Sequence, residues 1–180
     1  AADVEMIREA TSPGCRAVII GGGYIGLETA ASLRALGLEV TVLEATERVL
    51  ERVTAPAVSA FFDRIHREEG VNIRTGALVE ALSGDGRVRE VFLSSGESIP
   101  TDLVIVGIGV EPNTELAAAA GLVVDNGVVI DDQTRTSDPD IVAAGDCTSH
   151  TMARYGSRIR LESVPSAGEQ AKIAAATICG

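Results

Sequence analysis

The stretch Arg16-Ala-Val-Ile-Ile-Gly-Gly-Gly-Tyr-Ile-Gly-Leu-Glu28 decides the fold. An apolar segment runs straight into Gly21-x-Gly23-x-x-Gly26, and a helical pattern opens at once. Gly21 permits a tight turn that a Cβ would block. Gly23 lets the backbone approach a pyrophosphate, and Gly26 lets the helix pack closely on the strand. Free N–H groups at the helix start then face the phosphates, with the helix dipole behind them. A second apolar segment, Glu39-Val-Thr-Val-Leu-Glu44, ends in an acid 18 residues past Gly26. An acid at that spacing grips adenosine ribose hydroxyls and repels a 2′-phosphate, so the pattern predicts NAD(H) over NADP(H). The competing reading is a glycine turn without a ligand. The strand before it, the helix after it and the acid beyond it favour the dinucleotide.

Working outward, the chain has 180 residues, enough to bury a good core in one domain or two small ones. Its hydrophobic content of 46% suits a globular α/β protein. It has no apolar run of about 18 residues, so no membrane-spanning segment is predicted. The N-terminal ten residues lack the basic-then-apolar layout of a signal peptide and an initiating Met. A net charge of −11 argues against nucleic acid or an anionic membrane as partner and reads as solubility. Cys15, Cys147 and Cys179 form no close pair, so neither a disulfide framework nor a redox-active dithiol is expected. That usage predicts a reducing, cytoplasmic setting, with Cys147 as a small buried hydrophobe. His150 has no Cys or acidic cluster beside it, and no metal site is assigned. His66 lies among Arg64, Arg67, Glu68 and Glu69 and reads as solvated.

Apolar spacing predicts helices over 2–10, 24–36 and 55–69, and strands over 16–20, 39–44 and 71–74. Then the period changes. Short strands over 77–82 and 88–93 flank the Gly84-Asp-Gly86 turn, and 94–97 makes another turn, an antiparallel meander. Asp102-Leu-Val-Ile-Val106 is apolar throughout and fits a fully buried parallel strand. Beyond Asn113, a helix over 114–120, strands over 128–130 and 141–144, a polar loop over 148–158 and a closing helix over 163–178 are expected. The fold class is therefore α/β: a Rossmann-like parallel sheet with an inserted antiparallel β-meander, followed by part of a second subdomain. The boundary is placed at Asn113, giving domains over 1–112 and 113–180.

Four motifs, in order, resemble the pyridine-nucleotide-disulfide-reductase superfamily, above all its ferredoxin reductase branch that serves oxygenases. Gly21-Gly-Gly-Tyr-Ile-Gly-Leu-Glu28 resembles that branch's NADH-binding turn. Asp102-Leu-Val-Ile-Val-Gly-Ile-Gly-Val-Glu-Pro-Asn113 is similar to the strand leaving its NAD domain. Ile141-Val-Ala-Ala-Gly-Asp-Cys147 resembles the FAD-binding Gly-Asp signature, and Arg160-Leu-Glu-Ser-Val-Pro-Ser-Ala-Gly-Glu-Gln170 the flavin-contacting helix start. The family carries an earlier Gly-x-Gly-x-x-Gly for the ADP half of FAD and a closing interface domain. This chain has one such motif, in the NAD position, and nothing after Gly180. It therefore resembles the middle of a longer enzyme, with a whole NADH domain and part of the FAD domain.

By that resemblance NAD(H) would meet Gly21, Gly22, Gly23, Tyr24, Ile25, Gly26, Glu28, Glu44, Gly107, Ile108 and Gly109. Glu28 would lie at the nicotinamide end and Tyr24 would gate the flavin face. The simpler readings are a surface acid favoured by the helix dipole and a core aromatic. Arg48 and Arg52 would help hold the adenosine or pyrophosphate, or else form a solvated helix face. Gly145 and Asp146, the latter accepting from ribityl hydroxyls, would meet FAD together with Ser163 and Val164. Glu162 would sit by the nicotinamide, or pair with Arg160. Val164 stands where many relatives carry Trp, and Ser166 where Asn is common. The resemblance implies an FAD-dependent NADH:ferredoxin reductase with an iron–sulfur partner. It needs no catalytic acid, base or nucleophile, because the cofactors carry the chemistry. An NADH oxidase or CoA-disulfide reductase, and an NADH-binding scaffold of the apoptosis-inducing-factor type, stay as alternatives.

Overall fold

The structure, a computed structural model, describes residues 2–180, with side chains from Val4 onward. These residues form two compact units that divide between Gly109 and Val110. The first holds α1 (Ala2–Ala10), β1 (Arg16–Ile20), α2 (Tyr24–Ala35), β2 (Glu39–Leu43), α3 (Pro56–Glu68) and β3 (Asn72–Arg74). It continues through β4 (Val79–Gly84), β5 (Val88–Leu93), β6 (Ser98–Pro100) and β7 (Leu103–Val106). A parallel sheet of order β3-β2-β1-β7 and an antiparallel sheet of order β4-β5-β6 result. The antiparallel strands lie between β3 and β7 in sequence, as the change of period predicts.

Strand β1 shows why its Val-Ile-Ile run is continuous rather than alternating. Successive side chains of a strand point to opposite faces. Ala17 and Ile19 join Leu27, Ala30 and Leu33 of α2 in one apolar cluster. Val18 joins Leu43, Val91 and Leu93 on the other face, where the meander packs. Both faces are thus covered, as for a central parallel strand. Burying a side chain such as Ile19 contributes about 2 kcal/mol.

Two expectations change within this unit. Strand β7 is an edge strand whose residues are only half-buried, and Val106 at its end is exposed. An apolar run reports which side chains avoid water, but not whether a second strand flanks it. His66 is buried rather than solvated, because it lies on the inner side of α3. Its Nδ1 lies 2.8 Å from the Phe62 carbonyl oxygen and its Nε2 3.2 Å from that of Leu27.

The second unit holds α4 (Glu115–Ala119), β8 (Val128–Ile130), β9 (Thr148–Met152), β10 (Ser157–Ile159) and α5 (Val164–Cys179). Strand β9 pairs in parallel with β8 and antiparallel with β10. The loop expected over 148–158 is therefore a hairpin. Thr148 and Ser149 are small and polar, yet pairing with Val128 and Val129 places them in the sheet, and both are buried. The Tyr155 and Gly156 N–H groups both reach the Met152 carbonyl, and Gly156 has φ 61, which turns the chain back. Conversely, 141–144 is no strand. It makes one bridge, Arg135 to Val142, because Thr134 turns its partner segment left-handed at φ 62.

Candidate functional site

The glycine turn between β1 and α2 is built as the motif requires. Gly21 has φ 110, and a Cβ there would lie 2.4 Å from the Gly107 carbonyl oxygen. At Gly26 a Cβ would lie 2.0 Å from the Gly21 carbonyl oxygen, so α2 packs against the turn with no room for a side chain. Gly23 differs: it has φ −80, and a Cβ would meet nothing within 4 Å. Its freedom from side chains serves open space beside the start of α2, not protein packing. Gly23 is the N-cap of α2, and no side chain caps that helix. The first-turn N–H groups lack intrahelical acceptors by geometry and present partial positive charge to that space.

Glu44 sits one residue past β2, and its carboxylate is turned into the glycine turn. Oε2 accepts from the Gly22 N–H at 2.7 Å, and Oε1 accepts from the Thr46 N–H at 2.8 Å. The Thr46 hydroxyl lies 2.9 Å from the same Oε1. Burial pushes the Glu44 carboxyl up. The N–H groups of Thr46 and Gly22, the Thr46 hydroxyl and the charge of Arg52 outweigh it and hold the group below the ordinary carboxylate range. The same loop also holds the next peptide unit, where the Leu50 N–H donates to the Gly22 carbonyl at 2.9 Å. Leu50 is buried with φ 56, a left-handed conformation that costs a non-glycine residue about 1 kcal/mol.

The two arginines expected near the cofactor have different surroundings. Arg48 is directed into its own loop: Nη1 donates to the Thr54 carbonyl and to Ser59 Oγ, and Nη2 to the Glu51 carbonyl. These three hydrogen bonds brace the loop. Arg52 is exposed, and its one hydrogen bond among the described residues is a 3.3 Å donation to the Ile108 carbonyl beside Gly107 and Gly109. Tyr24 and Ile25, the first residues of α2, are both about half exposed, so Tyr24 is not a core aromatic. Ile108 is exposed too, and Gly109 has φ 138. Glu28 is exposed on α2. The structure thus gathers the glycine turn, Glu44, Arg52 and the segment 107–109 at the C-terminal edge of β1, β2 and β7. That is where open parallel sheets bind ligands.

In the second unit, Gly145 (φ 94) opens a turn closed by the Thr148 N–H donating to the Gly145 carbonyl at 3.0 Å. The Asp146 carboxylate projects from this turn, exposed and accepting no hydrogen bond among the described residues. The site has room for a group held there, since a Cβ at Gly145 would approach nothing closer than Ala167 Cβ at 3.8 Å. Ser163 caps α5, its Oγ accepting from the Ser166 N–H, and Val164 behind it is 88% exposed. Glu162 pairs with Arg160, the simpler of its two readings. Arg160 in turn donates to Asn126 Oδ1 and to the Val110 carbonyl.

Three residues shape these turns without a role assigned from the sequence: Thr46 and Leu50 lie outside the motifs, and Gln170 ends one of them. Thr46 orients Glu44, Leu50 holds Gly22, and Gln170 Oε1 accepts from the Gly145 N–H at 2.7 Å with Thr148 Oγ1 at 2.8 Å. Thr46 lies two positions after Glu44, close enough in the chain for its N–H and hydroxyl to meet the carboxylate. That spacing is the one signal that could have singled out Thr46.

Residues 1–171 match the family described as pyridine nucleotide-disulphide oxidoreductase. Putidaredoxin reductase CamA of Pseudomonas putida is 51% identical over 99% of the chain, which spans 43% of that relative. The ferredoxin reductase subunit of a 5,5′-dehydrodivanillate O-demethylase from Sphingobium is 46% identical, and the chain spans 44% of its length. Among solved structures, a covalent putidaredoxin reductase–putidaredoxin complex superposes with a TM-score of 0.92 at 50% identity, over 99% of this chain and 44% of that one. The chain therefore spans less than half the length of the relatives it matches. With both glycine-turn geometry and sequence agreeing, the chain belongs to the pyridine nucleotide-disulphide oxidoreductase family.

Proposed function

We propose that this chain is the NADH-binding portion of a flavoprotein reductase that passes electrons from NADH through FAD to a ferredoxin-type iron–sulfur protein. The observation that carries this is the Glu44 carboxylate held 2.7 Å from the Gly22 N–H, beside a turn whose Gly23 faces open space. A ribose-gripping acid, uncapped helix amides and side-chain-free room for a pyrophosphate occur together there. Residues 1–112 form the NAD(H) domain in this reading. Gly21 to Gly26, Glu44, Arg52 and 107–109 line the nucleotide, with Glu28 toward the nicotinamide end and Tyr24 gating the flavin face. Residues 113–180 contribute to the FAD domain through Gly145, Asp146, Ser163 and Val164, with Glu162 nearby. FAD, when bound, supplies the exchange between two-electron hydride and single-electron chemistry. The chain's own residues bind, orient and neutralise charge. Electron transfer to an iron–sulfur partner is supported by 51% identity to a reductase named for one. The three cysteines are free and fit a reducing compartment, so the reading places the protein in the cytoplasm. No helix among the described residues is long and apolar enough to cross a membrane.

Calorimetric titration of the chain with NADH and NADPH tests the reading. NADH should bind at least tenfold more tightly, by about 1.4 kcal/mol. Glu44→Ala should shrink that preference. Equal or tighter NADPH binding by the unaltered chain would overturn the assignment.

A further inference from the structure

Glu44 is a flexible side chain just past an apolar strand, and three donors meet its carboxylate. A carboxylate offers about four lone-pair sites. The Gly22 N–H, the Thr46 N–H and the Thr46 hydroxyl address three of them. Backbone N–H groups stay whatever the side chain at position 46, but the hydroxyl does not. Its single proton has two acceptors in reach, Glu44 Oε1 at 2.9 Å and the Arg48 carbonyl at 3.0 Å. The charged acceptor is the stronger of the two. Among the described residues, Thr46 supplies the one side-chain donor to Glu44. Arg48 is turned to Thr54, Ser59 and Glu51, and Arg52 acts on Glu44 through its charge alone.

We propose that Thr46 is a positioning residue for cofactor choice: its hydroxyl locks the Glu44 carboxylate against the Gly22 peptide, so that NADH is gripped and NADPH refused. The inference rests on the NADH reading above and extends it to a residue outside the glycine motif. Two consequences follow from a locked carboxylate. Ribose hydroxyls meet an acceptor that is already ordered, so binding does not bear the entropic cost of ordering it. A 2′-phosphate meets a negative charge that cannot swing aside, so repulsion persists. The Leu50 N–H holds the carbonyl of Gly22 itself, in the next peptide unit. Ribose and pyrophosphate recognition are thereby tied into one rigid loop.

The test uses the 180-residue chain with Thr46→Val, Thr46→Ala and Thr46→Ser. ADP-ribose, NADH and NADPH are titrated by calorimetry across acid to neutral pH, and each variant is melted by circular dichroism. Thr46→Val removes the hydroxyl at nearly constant volume. It should weaken ADP-ribose about fivefold and cut the NADH-over-NADPH preference by a similar factor. It should also move the acid-side loss of ADP-ribose affinity to higher pH, since the carboxylate loses a donor that favours its charged form. Thr46→Ala should follow Thr46→Val without the risk of overpacking, and Thr46→Ser should restore all three readouts. A folded Thr46→Val or Thr46→Ala chain with unchanged cofactor preference and pH profile overturns the proposal alone. Lower melting in all three variants, with no recovery by Thr46→Ser, shows a merely structural residue and also overturns it. An unaltered chain that binds neither NADH nor ADP-ribose overturns the NADH reading and this proposal with it.

Discussion

Replacing Gly23 by valine separates a ligand-facing glycine from a packing glycine. Gly23 has φ −80 and ψ −175, an extended conformation that valine adopts readily, and its Cβ would meet no protein atom within 4 Å. The expected loss is that of a poorer N-cap, about 1 kcal/mol, or some 2–4 °C in Tm for a chain of this size. Binding should suffer far more. The new methyl groups would occupy the space before the α2 amides and separate them from a pyrophosphate. Losing two charge-assisted hydrogen bonds costs about 3 kcal/mol, which is over a hundredfold in Kd. Gly26→Ala supplies the contrast, since its Cβ would lie 2.0 Å from the Gly21 carbonyl oxygen and the helix must shift. That variant should melt well below the parent. Calorimetry with NADH and thermal melting by circular dichroism read both effects. A folded Gly23→Val chain that binds NADH as the parent does would refute the reasoning.

The arginine pair should divide by function: Arg48→Met should lower stability by about 2 kcal/mol through three lost hydrogen bonds, while Arg52→Ala should weaken NADH with little change in Tm. Denaturant melts and titrations of the two variants check this, and the reverse pattern would contradict it. Asp102, held by Arg16 through side-chain and backbone hydrogen bonds, has its pKa lowered to about 2. Its contribution is present above its unfolded pKa of about 3.9 and is lost as pH falls toward 2. Because the pair is largely exposed, Asp102→Asn should cost under about 1 kcal/mol at neutral pH and flatten the acid limb of a stability–pH curve. Purified chain should carry little FAD, because it has the Gly145-Asp146 turn but one Gly-x-Gly-x-x-Gly motif, assigned to NADH. A stoichiometric flavin absorption spectrum would contradict that.

Much of this protein was legible from local order. Strand β1, the glycine turn and α2 are consecutive. Gly21 is also confined by the distant Gly107 carbonyl, but the tasks of Gly23 and Gly26 follow from neighbours in sequence. The same holds for Glu44, which ends the next strand, and for Ser163, which caps the helix that follows it. The parallel core was legible too, because a strand covered on both faces must be apolar at every position. What pairing decides was not legible. Thr148 and Ser149 carry no apolar alternation and enter a strand only because β8 runs beside them, while the apolar 141–144 finds a single bridge. The apolar run of β7 does not reveal that no second strand flanks it.

The sequence by itself determined the groups on offer: a glycine turn opening a helix, an acid just past the next strand, a Gly145-Asp146 turn, and three cysteines with no close pair. Only the tertiary structure decided which side chains are engaged and which stay exposed. Arg48 and Arg52 are the same residue four positions apart, yet one braces Thr54, Ser59 and Glu51 and the other stays exposed. His66 lies amid charged neighbours in sequence but rests on the Leu27 carbonyl. Glu44 is held against Gly22, 22 positions earlier in the chain. Hydrogen-bond partners are chosen by distance in space, and distance in space is set by how the elements pack.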